Sequence, residues 1–244
     1  MISLTEPEKE REFINRVMRL TINQKREKCK IVVNFFYRLC DMTDIAEHIL
    51  RAGQANLPYY VCILTLRMFL ELQANLLQGA YHSAARSLRW LYEANIAGAT
   101  ACISPYLLDR RYEGKSELKT EEFEEWLDLY DHQDVRLMRK SILEEFELPT
   151  EEVDNLYSVL CKYMHVSKLS FDKELDFPKL QYISEKFDEM FELTIKTMDF
   201  VLWMQSRMLL CYKNGTAEAL KWFLMDLDSI NKYIPLTKSL ISNL

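Results

Sequence analysis

Helix-breaking residues are scarce in this chain, and that scarcity limits its architecture more than any motif does. Five glycines and six prolines are spread over 244 residues, so the backbone has few places at which to reverse, and long helices joined by short links follow. No stretch alternates apolar and polar residues for long enough to make a useful strand, and no repeat of solenoid period occurs. The expected fold is therefore all-α: a multi-helix bundle of about seven helices with long antiparallel members. It forms one domain over residues 1–244, with the helical segment 1–53 packed on a 56–235 bundle.

Local signals mark the expected boundaries. Thr5 and Glu8 make a capping box with Pro7 in the first turn, and the helical pattern runs from there to residues 51–53. The polar run "NQKREKCK" at 23–30 interrupts it, as a solvated face or else as a bend or break. Asn56 and Pro58 open a second helix that reaches Gly79, and a third begins almost at once and stops near Pro105. The Gln78-Gly79-Ala80 link makes these two antiparallel neighbours. Residues 104–120 read as the longest loop or a short irregular helix. Thr120 caps an acidic helix to about Phe146, and Thr150 caps the next. Asp176-Phe177-Pro178 begins a long helix ending at Asn214-Gly215, Thr216 starts one to about Tyr233, and a short tail follows Pro235.

Charge and cysteine usage narrow the function classes. A formal charge of −6 works against a broad grip on nucleic-acid backbones or anionic lipid. Local patches at Arg110, Arg111 and Lys115, or at Arg136, Arg139 and Lys140, leave a nucleic-acid contact open but not favoured. The six cysteines lie far apart without a CxxC pair and read as reduced thiols of a cytoplasmic protein, the disulfide-rich interior of a hyperthermophile being the exception. The charged start "MISLTEPEKEREF" has no apolar signal region, so no secretory signal is expected. Residues 59–77 have spanning length but carry Arg67 and Glu71 at their centre, which points to a buried core helix and no membrane. With no Gly-rich phosphate loop, HExxH, nucleophile elbow or paired Glu-x-x-His, neither metal nor cofactor is expected.

Two stretches carry candidate site residues. In "SAARSLRWLYEANIAGA" at 83–99, Arg86, Arg89 and Glu93 fall on one helical face, and Arg89 with Glu93 has i,i+4 spacing. Ser83, Ala84, Ala85, Ala94, Ala97 and Gly98 keep that helix narrow. Arg67 and Glu71 repeat the spacing on the preceding helix, so the four charges Arg67, Glu71, Arg89 and Glu93 are expected to meet in one internal layer. Either such a network fixes register, or one guanidinium is left to bind a carboxylate or phosphate. In "LYSVLCKYMHVSK" at 156–168, Tyr157, Cys161 and His165 line one stripe and Ser167 follows. Cys161 with His165 lacks the second pair that zinc needs; a Cys-His nucleophilic pair and a core histidine near a helix C-terminus are the alternatives. The ligand-binding candidates are Arg86, Arg89, Glu93, Tyr157, His165 and Ser167, with His165 and Arg86 the catalytic candidates. The aromatic and methionine residues of "MDFVLWMQSRMLL" follow helical spacing and read as core.

The pair of stretches "LQGAYHSAARSLRWLYEANIAG" and "NLYSVLCKYMHVSK" resembles an uncharacterised family of bacterial and archaeal all-helical proteins. Gly79, Ala85, Arg86, Glu93, Tyr157, His165 and Ser167 carry the match, over the middle third to half of the chain; that family supplies no activity. A remoter similarity is to the helical HEPN domains, many of them ribonucleases with an Arg followed by four to six residues and then a His at a dimer interface. None of His48, His82, His132 or His165 has an arginine so placed, so that pair does not transfer.

These readings point first to a non-enzymatic helical module that binds a protein partner or a small anionic ligand, homodimeric by base rate. The alternative is a metal-independent ribonuclease or hydrolase using His165. Nucleic-acid binding by a local basic patch comes third.

Overall fold

Gly79 sets the first tertiary relationship. Its φ of 73° lies in the left-handed region, and around it Ala80 N–H reaches Asn75 O while Gly79 N–H reaches Leu76 O. That is a Schellman closure, which ends one helix and turns the chain back in a single step. The computed structural model describes residues 7–51, 57–103, 150–164, 182–210, 216–225 and 230–241. These hold eight α-helices: α1 (Pro7–Gln24), α2 (Arg26–Arg51), α3 (Leu57–Leu77), α4 (Tyr81–Ile103), α5 (Thr150–Met164), α6 (Ser184–Leu210), α7 (Thr216–Met225) and α8 (Pro235–Ile241), with a 3₁₀ turn at Asn231–Tyr233 before the last. No strand occurs among the described residues, and the all-α bundle is as expected.

Side-chain pairs give the helix directions. Asn95 meets Thr65 and Gly98 faces Val61, so α3 and α4 are an antiparallel hairpin. Tyr92 stacks on Phe200 at 4.6 Å, and Tyr81 bonds Ile183, so α4 and α6 run parallel. Tyr92 also lies against Tyr157 while His82 lies against Tyr163, which makes α5 antiparallel to α4. The centre of the bundle is α6, packed against α2, α3, α4, α5, α7, α8 and the 3₁₀ turn. From Leu193 to Leu209 nearly every residue of α6 is buried, whichever side it faces. An all-round apolar helix requires such a position, and "MDFVLWMQSRMLL" is core as expected.

Three buried polar residues of α6 are satisfied in two ways, whereas Thr197 Oγ1 and both amide atoms of Gln205 are buried without a hydrogen bond among the described residues. Thr194 and Ser206 donate to the carbonyls of Met190 and Leu202 one turn back. Asp199, only 3% exposed, accepts from Leu236 N–H and Thr237 N–H at 2.9 Å each and from the Thr237 hydroxyl at 2.8 Å. Its carboxylate therefore caps α8, where Pro235 supplies the first turn.

Three expectations are corrected, and one is decided between its two alternatives. The tail after Pro235 is helix α8, held by Asp199. The long helix begins at Ser184 rather than at Pro178, because Tyr81 Oη accepts from Ile183 N–H and donates to Ile183 O just before it; residues 165–181 lie outside the described residues. The polar run 23–30 is a break at Lys25 between α1 and α2, and it is not simply solvated: Lys25 and Lys28 both pair with Asp188, at 2.6 and 2.9 Å. Burial pushes the Asp188 carboxyl up, but hydrogen bonds from both lysines outweigh that and hold it below its ordinary value. Finally, α3 is only partly a buried core helix, its inner side in the core and Tyr60, Arg67, Leu70 and Glu71 exposed. Only 33% of its apolar window Tyr59–Leu77 is buried, although α3 is long and apolar enough to cross a membrane. Thr5, Asn56, the 104–120 loop and the Thr120–Phe146 helix lie outside the described residues.

Candidate functional site

The candidate site is built where α5 crosses α4. Small residues recur along α4: Ala84, Ala85 and Ala99 are fully buried and Ala97 nearly so. Leu88, Leu91 and Tyr92 turn toward the core, which leaves Arg89 and Glu93 on the flank of α4. Arg89 Nε donates to Glu93 Oε1 at 2.8 Å, with side chains 21% and 16% exposed. From α5, Tyr157 lies over the pair. Its ring centroid is 5.8 Å from the Arg89 guanidinium carbon, and its hydroxyl donates to Glu93 Oε1 at 3.4 Å.

Each member of the set shapes the protonation of another. Burial draws the Arg89 guanidinium down, but the Glu93 hydrogen bond and charge more than offset this and raise it above its ordinary value. The Tyr157 hydroxyl is pushed up to about 12, first by burial, then by the Cys161 thiol one turn on and by the charge of Glu93. A phenol so shifted keeps its proton at neutral pH. Tyr157 is thus a donor to Glu93, and the cluster consists of a cation, a carboxylate and a protonated phenol.

The structure divides the expected residues. Arg89, Glu93 and Tyr157 are brought together, with Cys161 half-buried beside them. Arg86 is exposed, one turn away. The expected four-charge layer is corrected: Arg67 and Glu71 stand exposed on the outer side of α3, because the inner side of that helix is taken by Val61, Thr65, Phe69, Leu72 and Leu76. His165 and Ser167 lie outside the described residues, as do Arg110, Arg111, Lys115, Arg136, Arg139 and Lys140.

A neighbouring polar group went unforeseen. Tyr163 donates to Glu189 of α6, whose other oxygen takes the Lys186 ammonium at 2.6 Å. Burial and then the Glu189 bond raise the Tyr163 hydroxyl. Tyr163 was visible in the sequence only as one of several tyrosines, and its partner lies 26 residues away.

No family model matches this chain, and neither a curated protein nor a solved structure does. The two resemblances therefore rest on the residues quoted for them.

Proposed function

We propose that this protein is a non-enzymatic helical module that binds a small anion-bearing ligand, a carboxylate or phosphate, where α4 and α5 cross. The observation that carries the reading is the way Arg89 is held. Glu93 engages Nε, Tyr157 covers one face, and the edge formed by the two terminal nitrogens makes no hydrogen bond among the described residues. That edge is the planar fork that carboxylates and phosphates accept from in pairs. Glu93 fixes the direction of the fork, so little side-chain freedom remains to be lost on binding. The raised Tyr157 hydroxyl supports binding over acid–base chemistry. The resemblance to the uncharacterised helical family belongs to this reading, as does a cytoplasmic setting, which suits the free thiols of Cys29, Cys40, Cys62 and Cys161.

An NMR titration of the ¹⁵N-labelled arginine side chains with inorganic phosphate and with succinate tests it. The Arg89 signals shift saturably in the wild type. Arg89→Lys, which keeps the charge and loses the fork, binds about tenfold more weakly with an unchanged helical spectrum. Flat titrations with both anions, or equal affinity in Arg89→Lys measured by thermal shift, overturn the reading.

A further inference from the structure

The outer side of α3 has the composition of an interior. With Arg67 as reference, Tyr60, Ile63, Leu64, Leu70, Glu71 and Ala74 fall within about 60° on either side at 100° per residue. Tyr60 is 46% exposed and Leu70 48% exposed. The neighbouring α2, packed on α3 and tied to it by Gln73 Nε2 donating to Val32 O, carries Val33 and Tyr37, both exposed. Ile63, Leu64 and Ala74 on that side of α3 are half-buried, and exposed apolar residues gathered on one side in this way mark a contact site.

Two charges interrupt this surface, and they show what covers it. Arg67 and Glu71 are one turn apart, both exposed, and neither makes an ion pair among the described residues. Within one helix an arginine preceding a glutamate is the weaker order for an i,i+4 pair. Between two copies the same spacing is self-complementary. A two-fold axis crossing α3 at the level of Phe69 sets the helices antiparallel. Arg67 of one copy then faces Glu71 of the partner subunit, the same contact recurs in reverse, and Leu70 lies near the axis between them. A two-fold contact requires this of a surface: each patch must complement itself. A bilayer supplies no such partners, and burying both charges in lipid is costly.

We infer that the α3 face, flanked by α2, is a homodimer interface closed by two reciprocal Arg67–Glu71 ion pairs. It lies on a different helix from Arg89, and the two proposals stand or fall separately.

Sedimentation velocity of the full chain over a wide concentration range, read with circular dichroism, tests it. The wild type sediments at twice the 29.0 kDa chain mass. Arg67→Glu and Glu71→Arg, each placing like charges together twice, raise the dimer dissociation constant at least about tenfold with an unchanged helical spectrum. The double exchange Arg67→Glu/Glu71→Arg restores the dimer to within about threefold of wild type. Arg89→Lys dimerises as the wild type does. The inference is overturned by a 29.0 kDa species at every concentration, which would assign the face to another part of the chain, or by single reversals that leave the dimer unchanged. It is equally overturned by a double exchange no better than the singles, or by a monomer that floats with phosphatidylglycerol vesicles.

Discussion

Gly98→Ala is the sharpest probe of how closely α3 and α4 pack. A Cβ added at Gly98 would stand 2.6 Å from Val61 Cγ2, 3.1 Å from Val61 Cγ1 and 3.3 Å from Met208 Sδ. The three contacts differ in how readily they give. Met208 is unbranched and its sulfur moves at small cost. Val61 is β-branched and nearly locked at χ1 within α3, so rotation cannot clear the 2.6 Å contact and the α3–α4 pair must separate instead. Overpacking of this kind costs about 1–3 kcal/mol, with rigid Val61 favouring the upper half, whereas Gly→Ala in a helix interior returns about 1 kcal/mol through propensity. The net loss is about 1–2 kcal/mol, roughly 2–8 °C in Tm for a chain of this size. Calorimetry or urea unfolding of Gly98→Ala measures it. The Val61→Ala background supplies the internal control, since removing the two methyl groups opens the space, and Gly98→Ala then becomes neutral or stabilising. A Gly98→Ala protein as stable as wild type, or an equal loss in both backgrounds, would refute the packing argument.

Asp199→Ala removes the acceptor of three buried donors at the start of α8, a loss of about 3 kcal/mol or more. Hydrogen exchange at Leu236 and Thr237 should accelerate before global unfolding, with Asn in place of Asp an intermediate case; unaltered exchange in Asp199→Ala would deny that the carboxylate holds the helix. Tyr157 gives a pH signature. Its hydroxyl ionises near 10 in the unfolded chain but at about 12 in the folded one. Between those values the folded state binds more protons, so stability is whole below pH 10 and falls as pH rises through the window. Tyr157→Phe should flatten that alkaline decline in a denaturant series, and the wild-type absorbance titration should contain a phenol near pH 12 that the variant lacks; an identical decline in both proteins would remove Tyr157 as its source.

What could be read in advance follows the range of the interaction responsible. Gly79 acts on its immediate neighbours, so the α3–α4 turn was legible, and so was the i,i+4 pair of Arg89 and Glu93. Lys25 and Lys28 reach Asp188 across more than 150 residues of chain, at separations of 163 and 160, and Asp199 reaches α8 across 37 and 38; no local pattern announces either. The most instructive failure is α3. Arg67/Glu71 and Arg89/Glu93 share the same spacing on two adjacent helices, yet one pair is exposed and the other half-buried. On α4 the exposed positions Ser83 and Arg86 are polar, so periodicity shows which side faces inward. On α3 both sides are apolar, Phe69, Leu72 and Leu76 within, Tyr60 and Leu70 without, so periodicity shows no side at all. An apolar helix with two charges at half its length reads as interior when burial within one chain alone is considered. The proposed burial against a second chain would account for the same composition, and for two charges at the centre of the face, where a two-fold axis passing between them would neutralise them most completely.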